Sequence, residues 1–145
     1  MSYSIDVNIL LYASNKNCVE HERAAKFLQG CARNHELFCL AWQTIMAYLR
    51  ISTHPAIFVS PLSDQEARRN IDALLRLSHV RAIGEQEGFW EIYSELAALT
   101  PARGNDVPDL HLATIYKQND VTCVFTNDSD FRRFAFLRVR NPLNE

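Results

Sequence analysis

The feature that most constrains this chain is a set of short apolar runs spaced between stretches of helical periodicity. Val121–Thr126 (VTCVFT), Leu37–Leu40 (LFCL) and Val80–Ile83 (VRAI) are too short for helices and read as buried strands. Ser2–Val7 reads as a first strand and Leu137–Arg140 as a last one. Between them, Asn8–Ala13, Cys18–Ala32, Trp42–Ile51, Ser63–Leu77, Glu87–Leu99 and Asp109–Asn119 carry apolar residues at helical spacing. Ser63 followed by Glu66 forms a capping-box pattern ahead of its helix. Strands alternating with helices predict an α/β domain with a parallel sheet. At 145 residues, with no repeat or linker tract, residues 1–145 are expected to form one domain.

Several function classes fall away early. The four glycines form neither G-x-G-x-x-G nor G-x-x-x-x-G-K, so dinucleotide-fold and P-loop phosphate sites have no support. With 15 Lys+Arg against 17 Asp+Glu, the chain lacks the overall basic excess of a simple nucleic-acid binder. No apolar stretch reaches the roughly 18 residues of a membrane span, and Asp6 interrupts the N-terminal apolar run, which argues against a signal peptide. Cys18, Cys31, Cys39 and Cys123 form no CxxC pair, so free thiols and a cytoplasmic setting are expected.

Three aspartates occupy similar topological places. Asp6 ends the first strand, Asp128 follows VTCVFT, and Asp109 opens a late helix, with Asp130 two residues beyond Asp128. In an open parallel sheet, strand carboxyl ends and the facing helix N-termini line the ligand crevice. Gathered carboxylates raise one another's pKa unless a cation offsets them. Mg²⁺ suits such a set, because it takes one or two carboxylates and keeps waters or substrate phosphate in its other positions. An aspartate at a strand-to-helix junction also serves as a plain N-cap, worth about 1 kcal/mol. It is the joint placement that favours a metal site; Asp130 also reads as a cap of the Phe131–Phe134 turn.

Four segments carry a resemblance to a known family: SIDVNILLYA, WQTIMAYLRISTHPAIF, GNDVPDLHLAT and TNDSDFRRFAFLRVRNPL. Together, and in this order, they resemble PIN-domain proteins, most closely the VapC-type toxins of bacterial toxin–antitoxin pairs. The resemblance implies a three-layer α/β/α fold with a central, mainly parallel sheet of about five strands. It further implies Mg²⁺- or Mn²⁺-dependent endoribonuclease activity, a cognate VapB-like antitoxin and a homodimer. By motif position, Asp6, Asp109 and Asp128 match the family's acids and Asp130 the second Asp of T-x-D-x-D-F. Thr126 matches the leading hydroxyl residue of that segment, and Asn8 the third position of D-x-N.

One departure stands out. Many PIN toxins carry a glutamate in the central helix, where this chain has Ala47 and no acid anywhere in Trp42–Ile51. Gln43 lies one turn earlier on the same face and offers a neutral oxygen instead. Arg132, Arg133, Arg138 and Arg140 cluster just past Asp128, where they would grip RNA phosphates or form a salt-bridged surface. His111 reads as structural, and Trp42 and Trp90 as core or dimer-interface residues. Two other readings compete: a PIN module that binds RNA or a partner without cleaving, and a haloacid-dehalogenase-type phosphohydrolase. The second is weakened by Asn8, which stands where that class places its acid/base aspartate.

Overall fold

The computed structural model describes residues 2–145. Its centre is a five-stranded, all-parallel sheet made of β1 (Ser2–Ile5), β2 (Leu37–Ala41), β3 (Val80–Ile83), β4 (Cys123–Phe125) and β5 (Arg138–Arg140). The spatial order is β3-β2-β1-β4-β5. The chain therefore builds outward from β1 on one side, then returns to β1 and builds outward on the other. That reversal places a topological switch point between the carboxyl ends of β1 and β4, where open parallel sheets bind ligands. The Asp6 N–H bonds the Phe125 carbonyl at 2.9 Å, which fixes the chain at the switch.

Six helices cover the sheet: α1 (Val7–Ser14), α2 (His21–Arg33), α3 (Trp42–Ser52), α4 (Asp64–Leu75), α5 (Phe89–Leu99) and α6 (Val107–Gln118). Alternate strand residues point to opposite faces. Tyr3, Ile5, Phe38, Leu40, Val80 and Cys123 pack with α1 to α4 through Ile9, Leu10, Ala24, Ile45, Tyr48 and Ile71. Cys39, Ala41, Ile83 and Val124 pack on the other face with α6 and with Phe131 and Phe134. The expected α/β/α layering and parallel five-stranded sheet are both present.

Element ends differ from the sequence reading where capping decides them. The first strand stops at Ile5, because Asp6 is the N-cap of α1 and its Oδ1 accepts the Val7 N–H at 2.8 Å, so the chain turns helical from Val7. The late helix begins at Val107 with Pro108 in its first turn, so Asp109 lies inside that turn. A 3-10 turn, Gly104–Asp106, leads into it, with Gly104 at φ 57°. Trp42 and Trp90 are not core residues: they are 49% and 69% exposed, and Trp90 stacks on Tyr93. Cys31, Cys39 and Cys123 are buried free thiols. Among the described residues, no helix is long and apolar enough to cross a membrane.

Candidate active site

The carboxyl edge at the switch point is organised by one hydroxyl. Thr126, buried just past β4, donates from Oγ1 to Asp6 Oδ2 at 2.8 Å. The same oxygen accepts from Asn8 Nδ2 at 3.2 Å and from the Asp128 N–H at 3.0 Å. Both of those neighbours are donors, so the single Thr126 proton is directed to Asp6. Asn8 also receives the Asn127 N–H at Oδ1, 3.4 Å away. Four of the residues expected from the sequence thus form one connected network: Asp6, Asn8, Thr126 and Asp128.

Asp128 Oδ1 accepts the Asp130 N–H at 3.0 Å, which starts the 3-10 turn Asp130–Arg133. Asp109 approaches from the first turn of α6. Its Oδ2 lies 3.1 Å from Arg133 Nη2, while Arg133 Nη1 lies 3.1 Å from Asp106 Oδ1. Electrostatics tie the acids together. Burial pushes the Asp6 carboxyl above the usual aspartate range; Thr126 and the Val7 N–H oppose this, and Asp128 and Asp130 add to it. Burial likewise pushes Asp109 up to about 6, with Asp130 raising it, Arg133 lowering it, and Asp6 and Asp128 adding further.

Beneath Asp6 lies a polar group that the sequence reading missed. Ser4 points to the α6 face of the sheet, where the Tyr116 phenol meets the hydroxyls of Ser4 and Thr44. All three oxygens are buried, and among the described residues none closes a hydrogen bond of ordinary geometry. Burial, joined by the nearby Asp6 charge, pushes the Tyr116 phenol upward. Strand alternation marks Ser4 as facing inward. Nothing in the linear sequence pairs it with a tyrosine more than a hundred positions away.

Gln43 occupies the first turn of α3, just past the carboxyl end of β2, with Oε1 buried and without a hydrogen-bond partner among the described residues. The arginines divide. Arg140 pairs with Glu145 and lies over Phe125, and Arg133 is engaged by two carboxylates. Arg132 and Arg138 are exposed. His111 pairs with Glu85 at 3.3 Å and meets Phe89 edge-on, consistent with a structural role.

Among the described residues, no group of three or more His, Cys, Asp or Glu side chains is arranged to hold a metal ion as it stands. The donor set nonetheless suits a hard cation that keeps most of its waters. It consists of carboxylate oxygens held by neighbouring donors and raising one another's pKa.

The PIN domain family model matches residues 3–137. The chain belongs to the PIN-domain family. Among curated PIN-type relatives, ribonuclease VapC48 of Mycobacterium tuberculosis is 33% identical over 144 residues, covering 99% of each chain. Ribonuclease VapC43 of the same organism is 33% identical over 140 residues, covering 97% of this chain and 95% of the relative. The fold also matches VapBC2 of Rickettsia felis bound to a promoter DNA fragment, with TM-score 0.66 and 20% identity, covering 97% of this chain and 98% of that one. VapC20 of Mycobacterium tuberculosis, a sarcin-ricin-loop-cleaving toxin, gives 0.65 at 15% identity, covering 95% and 98%. PIN membership removes the haloacid-dehalogenase reading.

Proposed function

We propose that this protein is the endoribonuclease toxin of a toxin–antitoxin pair, hydrolysing RNA phosphodiester bonds with Mg²⁺ or Mn²⁺. The reading treats residues 1–145 as one PIN-type domain acting in the cytoplasm. The observation that carries it is the Thr126-centred network at the switch point, in a chain 33% identical to VapC ribonucleases along nearly its whole length.

In this reading Asp6, Asp109 and Asp128 hold the cation, and Asp130 contributes to the charge of the crevice. When bound, the cation would supply an activated water and offset charge on the phosphate. Thr126 fixes the Asp6 carboxylate by keeping its proton on Oγ1, directed at Oδ2. Asn8 holds Thr126 in that orientation. Where other PIN toxins carry a glutamate in this helix, at the place of Ala47, Gln43 would offer a neutral oxygen from one turn earlier. Arg132 and Arg138, both exposed, would meet flanking RNA phosphates with the planar fork of the guanidinium.

The partners follow from the same family: a VapB-like antitoxin, and a second copy of this chain. Trp42 and Met46, exposed one turn apart on α3, are apolar surface suited to such contacts.

Purified protein should cleave an RNA pool with Mg²⁺ or Mn²⁺, stop in EDTA, and lose cleavage in folded Asp109→Asn and Asp128→Asn proteins. Undiminished cleavage by both variants overturns the site assignment. The absence of an acid from Trp42–Ser52 favours one alternative, a module that binds RNA without cutting it. Metal binding and RNA binding without any cleavage would support that alternative.

A further inference from the structure

Arg133 stands in the cluster expected to grip RNA, yet its guanidinium turns toward the crevice. Nη1 reaches Asp106 Oδ1 and Nη2 reaches Asp109 Oδ2, each at 3.1 Å. Asp106 and Asp109 lie three positions apart across the start of α6, so they share a face and one planar fork spans both. The guanidinium also rests 5.3 Å from the centre of the buried Phe134 ring. Its backbone carbonyl takes the Thr100 hydroxyl at 3.4 Å. Backbone and side chain are thus both anchored, and the charge is stationed on one oxygen of Asp109.

We propose that Arg133 is the built-in counter-ion of the acidic crevice: a positioning residue that holds Asp109 and competes with a divalent cation for it. This rests on the reading of Asp109 as a metal ligand. The same contacts allow a simpler role, in which Arg133 only ties the Asp130–Arg133 turn to α6. The two roles differ in sign. A tie supports Asp109, so its loss weakens metal binding or leaves it unchanged. A counter-ion repels a dication and occupies its ligand, so its loss tightens metal binding.

Isothermal titration of Mn²⁺ into the full, EDTA-stripped protein separates them. Arg133→Gln should bind Mn²⁺ roughly 5-fold tighter than the parent, the scale of one partly exposed ion pair. Arg133→Lys keeps the charge without the fork and should stay within about twofold. Equal or weaker binding by folded Arg133→Gln overturns the proposal. Asp109→Asn distinguishes the underlying reading. If it binds Mn²⁺ as the parent does, Asp109 is no ligand and both claims fall. If it binds at least about tenfold more weakly while Arg133→Gln is unchanged, only the counter-ion claim falls. A second readout needs no variant: saturating Mg²⁺ should speed exchange of the Arg133 guanidinium resonances in the parent protein. Unchanged exchange overturns the proposal as well.

Discussion

Two helices of this protein begin on the same device and put it to different uses. At α4, Ser63 Oγ accepts the Glu66 N–H and Glu66 Oε1 accepts the Ser63 N–H, both at 3.0 Å. The cap is local, exposed and complete. At α1, Asp6 Oδ1 accepts the Val7 N–H, but Oδ2 is taken by Thr126, 120 positions away. The two carboxyls respond in opposite directions. Hydrogen bonds from Ser63 hold Glu66 below its ordinary range, whereas burial and neighbouring acids hold Asp6 above it. A cap that only ends a helix lowers the free energy of its charged form. At Asp6 burial and the neighbouring acids disfavour the charged form, in a crevice with three other aspartates, and a bound cation would offset that cost.

The largest effect is expected at Asp6. Asn caps a helix about as well as Asp, so Asp6→Asn should keep the fold while cleavage falls by at least about 100-fold. Asp6→Ala should lose the cap as well, costing about 1 kcal/mol more in urea unfolding. Next in size is Thr126. Thr126→Val removes the donor to Asp6, strands Asn8 and the Asp128 N–H, and should cut metal affinity or turnover by about 10- to 100-fold. Thr126→Ser retains the hydroxyl and should recover most of it.

A smaller effect follows from Asp109. Its folded pKa, near 6, lies above the ordinary aspartate value, so its stabilising contribution is present at low pH and lost as pH rises through about 6. Metal-free protein should therefore gain stability from this group on acidification from pH 7 to 5, read by thermal unfolding. Mn²⁺ affinity should move the other way and weaken as pH falls through about 6, because the proton and the cation compete for one carboxylate. The smallest effect belongs to the other cap: Ser63→Ala should cost about 1 kcal/mol of stability and leave cleavage unchanged.

What the sequence revealed follows the same division between local and distant partners. The Ser63–Glu66 box was legible because both halves lie within one turn. Asp6, Thr126 and Asp128 were legible because strand ends in a parallel sheet converge by topology, and because their motifs match the PIN family. The Ser4–Thr44–Tyr116 group was not, since it depends on which helix packs over which face of β1. Nor was the turn of Arg133 toward Asp106 and Asp109, because four arginines within nine residues look alike until the fold sets their directions. The core half of the reading of Trp42 and Trp90 failed for a related reason: an apolar helical face is visible in sequence, but whether a layer of the same chain covers it is not.

Asp6 is proposed as cap and cation ligand at once, while Ser63 is a cap alone. The most direct test measures cleavage rate and unfolding free energy together for Asp6→Asn and Ser63→Ala. A crossed result is expected, with Asp6→Asn stable but inactive and Ser63→Ala active but less stable. Metal-dependent cleavage by folded Asp6→Asn at the parent rate would contradict it.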